Sequence, residues 1–268
     1  LPRGPPFVSL HSFPLMRPFR ILLAHELRML LVTPATYIAA TLFLLVMGFV
    51  FSGILETFAA AAQEGSPATV FFQLFWLPVF FMVPLLTMKC LAEERRLGTL
   101  ETLLTTPVTT AEVVLAKFFA AYALYLALWG STGGFFYILH KFAGTTQPLD
   151  YGPLLGGYLF ITVSGALFVS LGILASALTR NQAVAGILTF VLLLALVIGT
   201  RFASTLELLK LESMATARHT LDYVQIFTHL EDFTRGVIDT RQVLYYLSGA
   251  SLALILAILG VEAKQLHS

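Results

Sequence analysis

The stretch FVLLLALVIG at residues 190–199 indicates the fold class, because it runs without a single polar side chain. The stretch FLLVMGFVF at residues 43–51 has the same character. Strands of a membrane barrel alternate apolar and polar residues, so continuous apolar runs favour helices. In a bilayer every backbone polar group must find a partner inside the protein, and a helix satisfies its own. We therefore predict an all-α membrane protein.

The composition of the whole chain agrees with this prediction. Of the 268 residues, 57% are hydrophobic and only 12% are charged, whereas soluble domains carry about 25% charged residues. The formal net charge of +1 gives no reason to expect a nucleic-acid partner. Cys90 is the single cysteine, which excludes a disulfide framework within the chain and a multi-cysteine metal site.

Six apolar runs are long enough to cross a bilayer, for which a helix needs about 20 residues. The predicted spans are residues 36–55, 69–88, 112–138, 153–178, 182–203 and 243–262. Residues 1–15 contain four prolines. We expect them to be disordered or to lie upstream of a true start at Met16. Residues 16–268 are then expected to form one transmembrane domain.

The distribution of basic residues predicts the orientation. With six spans, both termini lie on one side of the membrane, and ten of the 16 Lys and Arg residues fall on that side. Because cytoplasmic loops carry an excess of Lys and Arg, both termini are predicted to be cytoplasmic.

Residues 17–33, RPFRILLAHELRMLLVT, are predicted to form an amphipathic helix at the cytoplasmic interface. Arg17, Arg20 and Arg28 share one stripe at helical spacing, and leucines lie on the opposite face. Such a helix lies in the membrane surface with its arginines toward anionic headgroups. The pattern alone leaves two roles open, a plain membrane anchor and a part in coupling to a partner.

Residues 89–112, KCLAEERRLGTLETLLTTPVTTAE, form a charged cytoplasmic segment between two spans. Gly98 predicts a helix end or a tight turn, and residues 99–105 predict a short helix that Pro107 breaks. Thr109 and Glu112 match a capping box at the start of the third span. A short helix held across the ends of two spans is suited to act as a lever through which a soluble partner moves them. A solvated hairpin is the alternative.

Residues 204–242 carry apolar residues at helical spacing but too many charges to span a membrane. We expect short helices that lie on the outer leaflet or dip into it. His219 and His229 lie there near Asp222, Glu231 and Asp232. A metal site is one interpretation, but the pattern favours a scattered polar surface.

Motifs of common enzyme classes are missing from the sequence. It contains no HExxH zinc helix and no GxxxxGK[ST] phosphate loop, and no GxSxG nucleophile elbow. The predicted spans hold almost no ionisable residues, which argues against an ion-coupled carrier. Energy for any uphill transport is therefore expected to come from a partner.

The charged segment carries a family resemblance. Residues 91–117, LAEERRLGTLETLLTTPVTTAEVVLAK, closely resemble the cytoplasmic loop of type-2 ABC exporter permeases. The matching positions are Glu93, Glu94, Arg95, Arg96, Gly98, Thr99, Leu100, Glu101, Leu103, Leu104, Thr105, Pro107 and Lys117. The stretch at 229–248, HLEDFTRGVIDTRQVLYYLS, resembles the segment before the last span of that family. The gliding-motility and nitrous-oxide-reductase-maturation branches are the most similar.

The resemblance implies a homo- or heterodimer of permeases in a prokaryotic inner membrane, in contact with lipid. Each permease would be served by a separate ABC ATPase subunit that holds ATP and Mg²⁺, so that this chain has no cofactor and is no enzyme. The 89–112 segment would supply the coupling helix. The rival interpretation is a membrane scaffold that recruits a cytoplasmic protein and transports nothing. The sequence leaves the transported substrate open.

Overall fold

The computed structural model describes residues 16–60, 66–98, 108–142, 150–205 and 223–265, and every regular element in these ranges is a helix. In chain order the helices are α1 (Met16–Val32), α2 (Pro34–Ala60), α3 (Pro67–Gln73), α4 (Trp76–Thr87), α5 (Ala92–Leu97), α6 (Thr110–Ser131), α7 (Gly133–Phe142), α8 (Tyr151–Leu178), α9 (Gln182–Leu194), α10 (Thr200–Thr205), α11 (Ile226–Thr234) and α12 (Thr240–Gln265). A π-helical turn, Ala195–Gly199, joins α9 to α10.

Six helical segments in the described ranges are long and apolar enough to cross a membrane. They are Pro34–Ala60, Trp76–Leu97, Thr110–Phe142, Tyr151–Leu178, Gln182–Phe202 and Thr240–Ala263. The protein is therefore a multi-pass, all-α membrane protein, as the sequence predicted. The predicted boundaries agree within a few residues for every span except the second.

The second span was predicted as one helix over residues 69–88, and this prediction is wrong. The structure has two helices, α3 and α4, that are separated at Leu74 and Phe75. Pro78 explains the break, because a proline ring inside a helix clashes with the carbonyl four residues earlier and provides no N–H for it. The Leu74 carbonyl instead accepts from the backbone N–H of Leu77 at 3.2 Å.

Both helix boundaries that were predicted in the charged segment are confirmed. Gly98 ends α5 with a φ of 71°, a left-handed conformation that suits glycine. At the start of α6 the Thr109 hydroxyl accepts from the backbone N–H of Glu112 at 3.2 Å, and the Glu112 carboxylate accepts from the backbone N–H of Thr109 at 2.8 Å. Residues 99–107, which include the predicted short helix, lie outside the described residues.

Helix α8 is the central helix of the bundle. In its most apolar stretch 72% of residues are buried inside the protein, against 22–28% for the first, fifth and sixth spans. Its glycines allow close contact with neighbours. A Cβ atom at Gly165 would overlap the ring of Tyr125, and one at Gly172 would overlap the Thr87 side chain.

The bundle has two ends that differ in chemistry. The Lys117 end contains α1, α5, the start of α6 and the end of α8, and the His229 end contains α3, α7, α11 and the start of α8. The segment predicted to lie on the outer leaflet contributes α11 to the His229 end. There Ile226, Leu230 and Phe233 are completely buried within the protein.

Candidate functional site

Lys117 is the centre of a buried ion cluster at the Lys117 end. It follows Val113 and Val114 by one helical turn on the buried face of α6, and its side chain is only 2% exposed. Its ammonium nitrogen lies 2.8 Å from an oxygen of Glu26 and 2.6 Å from an oxygen of Glu94. We call Lys117, Glu26 and Glu94 the Lys117 cluster.

Glu26 comes from the inward face of α1. It lies one helical turn from Leu23 and from Leu30, and both leucines pack against the core. Arg20 and Arg28 are exposed instead, which agrees with the predicted polar stripe. Arg17 belongs to α1, but its side chain lies outside the described part of the structure. A carboxylate on the apolar face of α1 thus anchors this amphipathic helix to the third span.

Glu94 is held in place because α5 is bonded to the end of α8. The Ser176 hydroxyl accepts from the backbone N–H groups of Leu91 and Ala92, each at 3.0 Å, and donates to the carbonyl of Met88 at 3.3 Å. The Arg95 guanidinium donates to the carbonyl of Ala177. These bonds attach α5 to the fourth span on one side, and Glu94 attaches it to the third span on the other.

The outer face of α5 is solvent-accessible. Arg96 and Glu93 lie 3.9 Å apart, with side chains that are 55% and 35% exposed. An exposed pair at this distance contributes little to stability, typically below about 1 kcal/mol. These two side chains are therefore available to a partner, whereas Glu94 and Arg95 have contacts within the bundle.

The cluster can transmit movement between segments that are distant in sequence. Removing one member of a buried ion pair costs about 3–5 kcal/mol, because it leaves a poorly compensated charge. Glu26 and Glu94 are partly exposed, at 14% and 26%, which places the cost near the lower limit. A displacement of α5 must therefore carry α1 and α6 with it or break these bonds.

A different polar group lies at the His229 end. His229 is 3% exposed, its Nδ1 lies 3.0 Å from the Tyr246 hydroxyl, and its Nε2 lies 2.9 Å from the Tyr223 carbonyl. Since a carbonyl only accepts, Nε2 carries the proton and Nδ1 accepts from Tyr246. Burial lowers the pKa of His229, which keeps the ring neutral.

The predicted alternative of a metal site at this end gains no support. Within the described ranges, no group of three or more His, Cys, Asp or Glu side chains is arranged to hold a metal ion. The ring of His229 is used in the hydrogen bonds to Tyr223 and Tyr246. His219 and Asp222 lie outside the described residues.

Comparison with known proteins gives the family. The model of a family described as ABC-2 family transporter protein matches residues 20–261, which is most of the chain. This chain belongs to the ABC-2 transporter family. No curated protein matches it. The protein is thus the permease component of an ABC transporter and not itself catalytic, and the family implies association with an ABC ATPase.

The structure of this ABC-2 permease places the predicted coupling residues in two groups. Glu93, Glu94, Arg95, Arg96 and Gly98 lie on α5 and at its end, next to the Lys117 cluster. The remaining predicted positions lie outside the described residues, and they are Thr99, Leu100, Glu101, Leu103, Leu104 and Pro107. Their role in coupling stays a prediction.

Sequence reasoning missed the partners of Lys117 in this permease. Lys117 was noted for its place in the family motif, and Glu26 was not singled out at all. The expectation that the spans hold almost no ionisable groups overlooked that Lys117 lies inside the third span and is buried. The signal was present, because an acidic residue on the apolar stripe of α1 needs a buried cation.

Proposed function

We propose that this permease is the membrane subunit of an ATP-driven exporter whose energy comes from a separate ABC ATPase subunit. The ATPase holds ATP and Mg²⁺ and docks on the 99–107 segment with help from the exposed side of α5. Two permeases, identical or different, form the transport path between them. Within the family, the resemblance of residues 91–117 and 229–248 leads us to propose a place near the gliding-motility and nitrous-oxide-reductase-maturation branches.

The observation that carries this proposal is the position of the Lys117 cluster. Glu94 lies five residues before the proposed docking segment, and it is bonded to Lys117 of the third span. Lys117 is bonded in turn to Glu26 of α1. A push on the docking segment acts on α5 directly, and these bonds pass it to the third span and to α1.

The mechanism requires an element with two positions whose populations ATP changes. We assign this role to α5 together with the docking segment. ATP-driven closure of the two ATPases shifts α5, and the Lys117 cluster and the Ser176 bonds pass the shift to the third and fourth spans. Tilting of these spans opens and closes the path at the dimer axis.

The orientation follows from the same assignment. A soluble ATPase lies in the cytoplasm, so the Lys117 end faces the cytoplasm and both termini lie there, in agreement with the distribution of Lys and Arg. The membrane is the inner membrane of a prokaryote. A green fluorescent protein fused after residue 265 is expected to lie in the cytoplasm and to fluoresce. The same protein inserted at residue 146 is expected to be exported in an unfolded state and to give no fluorescence.

The first test is co-purification of the permease with its ABC ATPase in mild detergent, followed by an assay of ATP hydrolysis. Replacing residues 99–106 with a Gly–Ser chain of the same length is expected to abolish the complex. The matched control replaces residues 143–148, which connect two spans at the opposite end, and is expected to retain it. A permease that folds but binds no ATPase would instead support the scaffold interpretation.

The second test separates binding from coupling. Reversing two charges of α5, Glu94→Lys with Arg95→Glu, is expected to weaken the Lys117 cluster and, in the protein that still folds, to uncouple ATP hydrolysis from transport. The control Arg235→Glu changes an exposed charge at the His229 end and is expected to have no effect. Unchanged coupling in the double variant of a folded protein would contradict the role of α5.

A further inference from the structure

A cavity of about 440 Å³ opens at the Lys117 end between α1, the junction of α4 with α5, and Lys117. One part of its wall is charged and includes Glu26, Lys89 and Glu93, and another part is apolar and includes Met29, Leu85 and Leu86. The division into a charged and an apolar part matches an amphiphile, with its head among the charges and its tail along the apolar wall.

The two lysines of the wall differ in their partners. Lys117 is satisfied by Glu26 and Glu94. Lys89 is half-buried and makes no ion pair with any residue in the described part of the chain. Removing a charge from water without a counter-charge is costly. Lys89 therefore provides a place for an anionic group that comes from outside the chain.

The carboxylates of the wall provide the complementary feature. Glu93 is 35% exposed and Glu26 is 14% exposed, and both border the same cavity as Lys89. A carboxylate accepts strong hydrogen bonds from an ammonium group. The wall thus presents sites for a cation and an anion side by side, as a zwitterionic headgroup requires.

The mouth of the cavity continues into the apolar surface of the bundle. Met29 and Leu97 line the cavity and are 54% and 62% exposed. Val32 and Ile38, on the adjacent turns of α1 and α2, are 70% and 62% exposed. A ligand with acyl chains can therefore keep its head in the cavity while its chains follow the lipid-facing surface.

We propose that this cavity binds one membrane phospholipid with an ethanolamine headgroup. The phosphate lies at Lys89, the primary ammonium lies at the carboxylates of Glu93 and Glu26, and the acyl chains leave past Met29. The bound lipid connects α1 to the α4–α5 junction, next to the Lys117 cluster. The inference depends on the cavity and its charges alone, and not on an ATPase partner.

The chemistry of the wall discriminates between common headgroups. Choline is recognised by Trp, Tyr or Phe side chains around its quaternary ammonium, and the cavity lining in the described residues contains none of these three residue types. Glycerol headgroups leave the phospholipid with a net negative charge, and the three carboxylates of the wall, those of Glu26, Glu93 and Glu94, oppose it. A phosphoethanolamine headgroup provides a negative phosphate for the lysine and a positive ammonium for the carboxylates. Its primary ammonium can also donate hydrogen bonds.

Native mass spectrometry of the purified, delipidated permease tests the proposal. The probes are phosphatidylethanolamine, phosphatidylcholine and phosphatidylglycerol with identical acyl chains. We expect one tight site for the ethanolamine lipid only. Lys89→Gln and Glu93→Gln are each expected to weaken it about tenfold, the loss of one charge-assisted hydrogen bond. Arg20→Gln, an exposed position on α1 outside the cavity, is expected to leave it unchanged.

Three results would overturn the proposal. Equal binding of the three lipids, or an unaltered affinity in Lys89→Gln, would mean that the bound lipid is only part of the general lipid shell. Competition by free phosphoethanolamine as strong as by the lipid itself would show that the acyl chains have no part in binding. Because the experiment uses the permease alone, loss of ATPase association in the co-purification does not affect its outcome.

Discussion

The two ends of the bundle hold their helices together in different ways. At the Lys117 end, one ammonium group and two carboxylates join α1, α5 and α6. At the His229 end, α11 lies so close to α8 that a Cβ atom on Gly156 would overlap the backbone carbonyl of Phe233, and the polar contacts of His229 are neutral hydrogen bonds. Ion pairs whose carboxylates are partly exposed can break and re-form, whereas close backbone contact allows one arrangement. The comparison agrees with the proposed movement of the Lys117 end.

The variant with the largest expected effect removes the charge that joins the Lys117 end. Lys117→Met is expected to lower the free energy of unfolding by about 3 kcal/mol, because Glu26 and Glu94 lose their shared cation. Titration with sodium dodecyl sulfate in mixed micelles measures this loss. The triple variant with Glu26→Gln and Glu94→Gln is expected to recover most of the stability. A single variant as stable as the native protein would show that the cluster does not hold α5.

At the His229 end, the corresponding variant targets the close contact. Gly156→Ala places a methyl group against the backbone of α11, and overpacking of this kind costs about 2–3 kcal/mol. The same titration measures the loss, and proteolysis near α11 is expected to become faster. Gly53→Ala is the control, because no atom lies within 4 Å of its new Cβ. A stable Gly156→Ala protein would contradict the rigid contact.

Ser176→Ala tests the second connection of α5 at the Lys117 end. The change leaves the buried N–H groups of Leu91 and Ala92 without their acceptor, at a cost of about 2 kcal/mol. Ser170→Ala is the matched control in the same helix, since the Ser170 hydroxyl donates only to the carbonyl of Leu167, within α8. The free energy of unfolding of the Ser170→Ala variant is expected to change by only a few tenths of a kcal/mol. Equal losses in both variants would assign the effect to packing alone.

The smallest expected effect is a pH dependence of stability that comes from His229 and so belongs to the His229 end. The pKa of His229 is lowered in the folded protein, so the unfolded chain takes up a proton first, near pH 6.5. The stability due to neutral His229 is therefore present above pH 6.5 and is lost as the pH falls toward the lowered pKa.

Melting temperatures measured between pH 5 and 8 check this expectation. His229→Gln is expected to remove the part of the acid destabilisation that comes from this ring. His140→Gln is the control, because His140 is an exposed histidine near the same end. An acid dependence that is identical in the native protein and in His229→Gln would contradict a neutral, buried ring.

Much of the candidate site was predictable from local patterns, and its central contact was not. The end of α5 at Gly98 and the capping box of Thr109 and Glu112 were read correctly, because each depends on a few consecutive residues. The bond between Glu26 and Lys117 joins residues that are far apart in sequence, and no local pattern specifies which buried charges meet. The break before Pro78 was missed because the continuous hydropathy of the second span obscured it.

The sequence by itself determined the fold class, five of the six spans and the likeness to ABC-2 permeases, because hydrophobic length and short motifs are properties of consecutive residues. Only the tertiary structure decided that Glu26 of α1 meets Lys117, that Lys117 is shared by two carboxylates, and that α11 is buried against α8. These features depend on how helices pack around α8. Packing is set by the shapes and charges of all the neighbours together, so it is not a property of any single segment.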